Sequence, residues 1–198
     1  MPSPIGHALG GVAAAWIVDL MPGHPVWRSA RASASWFKRA GNGLTVICAA
    51  LAVAPDLDLL LGGHRMMTHS VGAVIIVGLV AAAIAVYSER PILRVALMCA
   101  AEYGTHPLLD LLAVDRFWPY GLQLLGPFSQ SWFISGWDLF AQTERRDLMT
   151  LPAIRQNGAA IAREIAILGP LAVLLWLVRV KALAGLASEV PGGHHSSQ

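Results

Sequence analysis

The clearest apolar stretch of the chain runs from His69 to Tyr87, and Val71 through Ser88 carries no ionisable group except the Tyr87 phenol. At about 1.5 Å per residue, a helix of that length reaches across a hydrocarbon core of roughly 30 Å, so a transmembrane helix is expected here. Two further stretches, Leu44 to Leu61 and Ile92 to Val114, stay apolar until Pro55-Asp56-Leu57-Asp58 in the first and Glu102, His106 and Asp110 in the second. A fourth, Ile165 to Val178, is short but rich in Leu and Ile and contains Trp176; Arg179 and Lys181 follow it as expected interfacial anchors. Ile5 to Leu20 is a fifth candidate. There Gly6, Gly10 and Ala14 lie four apart, a small-residue stripe that predicts an inner helix approached closely by a neighbour. The expected fold is all-α, a polytopic transmembrane helical bundle of about four to five spans, with residues 1–187 as one membrane-embedded domain and 188–198 as a disordered tail.

The connections add orientation. Met21 to Asn42 holds Arg28, Arg31, Lys38 and Arg39 with no acid, whereas Asp115 to Arg163 mixes both signs. Positive charge marks the cytoplasmic side, which puts the acid-free connection inside. With five alternating spans, Glu89-Arg90-Pro91 and the Arg179/Lys181 end also fall inside, while the N-terminus, the Gly62-Gly63-His64 turn and the long mixed loop fall outside.

Composition agrees with this picture. The 198 residues are 56% hydrophobic and 13% charged, about half the ~25% charge of an ordinary soluble domain. Their mean hydropathy is +0.57. Disordered, collagen-like and disulfide-scaffold classes are excluded, and a multi-pass membrane location is expected. The net charge of +2 comes from 14 basic and 12 acidic residues without a dense basic run, so the bilayer rather than nucleic acid is the expected partner, and no protein partner can be inferred. Cys48 and Cys99 lie far apart in apolar stretches and read as small buried hydrophobes. Nothing positive precedes the first apolar stretch, so a cleaved signal peptide is not expected.

Ionisable side chains at membrane depth are costly and each needs a partner or a task. In the topology above, His7 starts the first span, Asp56 and Asp58 end the second, His69 starts the third, and His106 and Asp110 end the fourth, all on the outer side. His106 and Asp110, one helical turn apart, can reach one ion from one face, and Glu102 extends the same stripe. Imidazole and carboxylate suit Zn2+, Mn2+ or Fe2+. Such a pair on its own is more often hydrogen-bonded than metal-binding; the acidic helix end and the His64 to His69 turn at the same depth reverse that expectation. His64 and His69, five apart, cannot share a helix face, so a turn is implied, with His69 as ligand and His64 as a substrate or supporting group. Of Asp56 and Asp58, one is expected to bind metal and the other to orient a histidine or cap a helix.

Read in order, Pro4-x-x-His7, Pro55-Asp56-Leu57-Asp58, His64-Arg65-Met66-Met67-Thr68-His69-Ser70, His106-Pro107-Leu108-Leu109-Asp110 and Tyr120-Gly121-x-x-Leu124-Leu125-x-Pro127-Phe128-Ser129 resemble the YdjM-like family of membrane-bound, metal-dependent hydrolases. More distantly, the order of His and Asp is similar to that of zinc-dependent phospholipase C and its all-helical nuclease relatives. That resemblance implies one metal enclosed by Asp56, His69, His106 and Asp110, and a second touching His7 and the shared Asp110 carboxylate. The chain departs from that pattern after His106, because no histidine follows until His194. Asp138 falls where the family tends to carry an aspartate and is a further candidate for the site. Arg65 is a candidate oxyanion partner, since a guanidinium can hold two phosphate oxygens.

The expected function is membrane-bound, metal-dependent hydrolysis of a small-molecule or lipid phosphoester, with Asp58 or Glu102 as the base and Arg65 as the anion partner. The competing readings are a non-catalytic membrane protein that uses the metal structurally or for sensing, and a transporter whose intramembrane carboxylates relay ions. The aromatic residues Trp118, Tyr120, Trp132, Phe133, Trp137 and Phe140 of the long loop read as an interfacial belt, or as a lid over the metal.

Overall fold

A computed structural model describes residues 1–21, 42–61, 65–116, 118–145 and 147–188. Among them the secondary structure is all-α: α1 (Pro4–Asp19), α2 (Asn42–Val53), α3 (Val71–Tyr87), α4 (Ile92–Leu111) and α5 (Leu151–Ser188). Between α2 and α3 lie two 3-10 segments, Ala54–Leu61 and Met67–His69. Ser3 caps α1 by accepting a hydrogen bond from the Gly6 amide, with Pro4 in the first turn where no amide hydrogen is needed. Ser70 does the same for α3 through Ala73 and also donates to the Met67 carbonyl at 2.6 Å, which fixes the turn carrying His69.

The bundle is built around α1, which packs against α2, α4 and α5, while α3 packs along α4. The small-residue stripe explains the close approach. A Cβ at Gly6 would lie 2.6 Å from Glu164 Oε2, and one at Gly10 would lie 2.8 Å from Leu109 Cδ1, so α5 and α4 sit where side chains would otherwise be. The interior is filled largely by small residues, among them Ala13, Ala15, Ala81, Ala85, Ala153, Ala160 and Ala172. Large aliphatics such as Ile75, Ile76, Leu79 and Ile84 of α3 and Leu171, Leu174 and Leu177 of α5 point outward. Small inside and large aliphatic outside is the arrangement of helices solvated by lipid.

One helix among the described residues is long and apolar enough to cross a membrane by length and composition, the Leu151–Lys181 part of α5. The apolar helix α3 has 17 residues, about 26 Å at the usual rise.

Three expectations need correction. The span expected at Ile165 begins at Leu151, so the long connection ends at Thr150; Thr150 Oγ1 accepts from the Ala153 amide and Pro152 occupies the first turn. The buried positions Ala153, Ala160, Glu164, Leu168, Ala172 and Arg179 recur on one face, but Arg155, Arg163 and Glu164 break the apolar run in sequence. Arg179 is not an interfacial anchor: its side chain is 1% exposed and its Nε donates to Asp19 Oδ2 at 3.1 Å. The segment after Val53 is not a continuation of α2 but a 3-10 stretch, which changes the directions of Asp56 and Asp58. The expected tail, apart from Ser188 at the end of α5, lies outside the described residues, as do His64, the side chain of Cys48 and the basic connection 22–41.

Among its described residues, the connection from α4 to α5 has no helix or strand but is tied down by backbone hydrogen bonds. Leu122 and Phe133 exchange amide–carbonyl bonds of 3.0 and 2.9 Å, and Val71 and Gly72 donate to the Leu124 and Gly126 carbonyls. Gly121 has φ +88°, and a Cβ there would meet the Phe133 carbonyl oxygen at 2.0 Å, so the Tyr-Gly motif is a packing requirement of this loop.

Candidate metal centre

Five side chains from four segments meet at one end of the bundle: His7 from the first turns of α1, Asp56 from the 3-10 stretch after α2, His69 from the turn before α3, and His106 with Asp110 from α4. Two sets, His7/Asp56/His106 and His69/His106/Asp110, each place their ligand atoms within 4.8 Å of one another, and they share His106. The Asp110 carboxylate bridges the cluster. Its Oδ1 lies 3.5 Å from His7 Nε2 and its Oδ2 lies 3.5 Å from both His69 Nε2 and His106 Nε2. Asp56 Oδ1 is 3.6 Å from His106 Nε2 and 3.8 Å from His69 Nε2. The His7 and His106 rings stack with centroids 3.6 Å apart. His7, His69 and His106 are completely buried; the Asp56 side chain is 12% exposed.

The atoms behind the cluster set which ring nitrogen faces inward. His106 Nδ1 is 2.7 Å from the Ala52 carbonyl oxygen, so it donates, and Nε2 is left with a lone pair directed at the centre. The Thr68 hydroxyl donates to Asp58 Oδ2 at 2.6 Å and, through its other lone pair, accepts from His69 Nδ1 at 2.9 Å, which again leaves Nε2 facing inward. Tyr103 of α4 donates to the Thr68 carbonyl and holds this turn in place. The two Nε2 atoms that result are only 3.1 Å apart. Facing lone pairs at that distance, beside two carboxylates, repel unless a proton or a cation lies between them. Among the described residues, both nitrogens of His7, Oδ1 of Asp56 and both oxygens of Asp110 are buried without a hydrogen-bond partner. Three imidazoles and two carboxylates converging with inward lone pairs form a donor set that fits a divalent transition metal.

The other expected residues are distributed differently. Asp58 stands behind His69, 3.4 Å from Nδ1, rather than among the inward atoms. Glu102 is completely buried one turn before His106 and belongs to neither donor set. Arg65, with φ +63°, pairs with Asp115, whose Oδ2 also accepts from the Gly121 amide at 2.6 Å. This network fastens the loop to the His69 turn. Asp138 is exposed, with φ +50°, and its backbone carbonyl accepts from Arg163 of α5.

One residue at the centre has no signal in the sequence. Arg145, near the end of the long connection, places Nη2 3.6 Å from Asp56 Oδ1. Neither periodicity nor a motif marks it. It reaches the centre because Thr143 donates to the Met1 carbonyl and Glu144 exchanges hydrogen bonds with Asn157 of α5.

Glu164 of α5, itself fully buried, accepts from the Ser3 amide at 2.7 Å and from the Ser3 hydroxyl, and so holds the start of α1 where His7 enters the cluster.

No curated protein and no solved structure matches this chain. The family model described as YdjM inner membrane protein matches residues 1–186. A match over nearly the whole length shows that the chain belongs to the YdjM inner membrane protein family.

Proposed function

We propose that this protein is a multi-pass inner-membrane hydrolase that uses a divalent metal, most simply Zn2+ with Mn2+ or Fe2+ as alternatives, to cleave a phosphoester of a small molecule or lipid. The observation that carries the reading is the convergence of His7, Asp56, His69, His106 and Asp110 on one buried point with their lone pairs inward. An ion held there supplies Lewis acidity, polarising a phosphoryl oxygen and acidifying water. The chain's own part is to hold the donors. Ala52, Thr68 and Asp58 fix the histidine tautomers, which makes Asp58 a positioning residue in this reading. Glu102 remains the candidate proton acceptor on α4.

Multi-pass insertion is supported by the outward aliphatics of α3, by Ile5 and Ile17 on α1 and by Leu93 and Leu97 on α4. Helix direction supports the topology too: α1 runs away from the cluster toward the acid-free connection, and α4 runs back toward it. The cluster would then face the outer side. A C-terminal reporter fusion should be active in the cytoplasm and silent outside; the reverse overturns this topology.

The test of function is metal content by mass spectrometry in detergent-purified wild type beside His106→Ala and Asp110→Ala, followed by a phosphoester hydrolysis panel. About one ion per chain in wild type, lost in both variants, together with activity that depends on the ion, is the expected outcome. Wild type without a transition metal overturns the reading. A second reading, in which the ion only staples helices or is sensed, is favoured by the complete burial of the three histidines, since structural sites are closed. It predicts metal-dependent helix packing and no hydrolysis in any member of the panel.

A further inference from the structure

At 17 residues, about 26 Å at the usual rise, α3 falls short of a hydrocarbon core of roughly 30 Å. Its outward face is nevertheless aliphatic throughout, with Val71, Ile75, Ile76, Leu79, Val80 and Ile84 all exposed. The far edge of that face is sharp: Tyr87 is 92% exposed, and the exposed Ser88, Glu89 and Arg90 follow it. At the near edge, beside the metal cluster, the apolar surface does not stop at Val71 but passes onto other segments of the chain. Leu125 and Phe128, the latter 89% exposed, continue it from the connection between α4 and α5, and Met66 and Met67 continue it from the turn that carries His69.

Backbone bonds hold these segments together. Val71 and Gly72 donate to the Leu124 and Gly126 carbonyls at 2.8 and 3.2 Å, and the Phe128 and Ser129 amides close a turn on the Leu125 carbonyl at 2.9 and 3.0 Å. Packing is equally close. A Cβ at Gly72 would lie 2.5 Å from the Gly126 carbonyl oxygen, and one at Gly126 would lie 3.4 Å from Met67 Sδ. Polar residues return at once with Ser129, Gln130 and Ser131, where the Ser129 hydroxyl donates to Ser131 Oγ at 3.1 Å. A phenylalanine this exposed on a hydrogen-bonded turn, between an aliphatic helix face and a polar edge, suits the boundary between hydrocarbon and headgroups. The belt expected from sequence is redrawn accordingly: Phe140 belongs to the core at 1% exposure, whereas Phe128 lay outside that group of aromatics.

We propose that Met66, Met67, Leu125 and Phe128 form a membrane-insertion surface that completes, on the cluster side, the hydrophobic thickness α3 lacks. Its occupant is the boundary between acyl chains and headgroups of the bilayer around the protein. The inference rests on α3 crossing the membrane, as in the multi-pass reading above. The shortfall of about 4 Å equals roughly three residues of helix, and the turn from Leu125 to Phe128 supplies apolar surface where that missing turn would be. Depth follows from sequence proximity: Met67 is two residues from His69, so the metal cluster lies near the level of the lipid phosphates.

The test uses the full-length chain carrying Cys48→Ala and Cys99→Ala, with one nitroxide label at a time on Phe128→Cys, Ile75→Cys or Asp138→Cys, in vesicles of phosphatidylcholine and phosphatidylglycerol. Paramagnetic resonance then compares the access of oxygen, which concentrates in hydrocarbon, with that of a water-soluble nickel chelate. The oxygen-to-nickel ratio at Phe128→Cys should exceed that at the exposed Asp138→Cys several-fold and approach that at Ile75→Cys, with a depth of about 5–10 Å into the boundary region. Nickel access at Phe128→Cys equal to that at Asp138→Cys puts the turn in water and overturns the proposal, while a lipid-exposed Ile75→Cys leaves the crossing of α3 intact. A Phe128→Cys label shielded from both reagents also overturns it, because protein, such as a second copy of the chain, then covers the patch. Nickel access at Ile75→Cys removes the crossing of α3 and the proposal together.

Discussion

Helix α1 carries a buried polar cluster at each end, and the two differ in how their charges close. At its start, His7 meets two carboxylates and two further imidazoles. At its end, Asp19 meets Arg179 of α5 and Arg94 of α4, all three nearly inaccessible. The second cluster sets two guanidiniums of the chain itself against one carboxylate. Arg94 donates to the Asp19 carbonyl at 3.1 Å and to the Met21 carbonyl at 2.6 Å, so it satisfies carbonyls that the end of a helix leaves open while placing positive charge at the negative end of the helix dipole. The first cluster holds carboxylates and inward lone pairs, with Arg145 only at its edge. Buried polar density is therefore not what distinguishes a functional site here. What differs is the company each keeps: two guanidiniums around one carboxylate at the end of α1, and carboxylates with imidazoles around one point at its start.

Experiments can break this comparison at either end. The largest effect is expected from Asp19→Ala, which removes the carboxylate beside two buried guanidiniums and should cost about 3–5 kcal/mol; thermal unfolding in detergent should show the loss equally with and without chelator. A wild-type-like melting temperature would mean that the triad is not a structural unit. Chelation comes next. If the other end needs a cation, stripping it from wild type should remove about 3–4 kcal/mol at an ion concentration between a hundred and a thousand times Kd, and should leave the melting of His106→Ala unmoved. Equal shifts in both proteins would deny that the cluster is where the ion stabilises. A smaller change is expected for Asp58→Asn, which loosens the hydrogen-bond chain to His69 and should weaken metal affinity about 10- to 100-fold by competition with a chromogenic chelator, without loss of fold. The smallest should come from Lys181→Ala. Lys181 is exposed two positions beyond the buried Arg179, so its removal should leave melting unchanged, whereas Arg179→Ala should not.

The sequence was most readable where local spacing and three-dimensional arrangement coincide. His106 and Asp110 share a face because they lie one turn apart, and Gly6 and Gly10 mark close helix approaches because small residues permit nothing else so cheaply. The motif His64 to Ser70 was readable as a unit but not in its roles. Thr68 relays between Asp58 and His69, Ser70 caps α3, and Arg65 holds the loop rather than facing the centre. Two other residues could not have been placed from spacing. Arg179 follows an apolar run as an interfacial anchor would, and only its contact with Asp19, far away in the chain, makes it a core residue. Arg145 reaches the centre through loop contacts to Met1 and Asn157, and no local pattern records such contacts. The early start of α5 was hidden for a related reason: Glu164 is polar in sequence yet lies on the buried face, where it receives the Ser3 amide.

That contact between Glu164 and Ser3 has a consequence for biosynthesis. His7 is synthesised well before Glu164, the carboxylate that anchors its helix, which belongs to α5, and Arg145 lies just ahead of α5. A nascent chain that has inserted only α1 to α4 already contains the five clustered side chains, yet lacks the clasp on the first of them. Acquisition of an ion would then be a late event that follows delivery of α5 into the bilayer, and a chain released before Leu151 would leave the membrane machinery with its histidines in place and α1 unanchored.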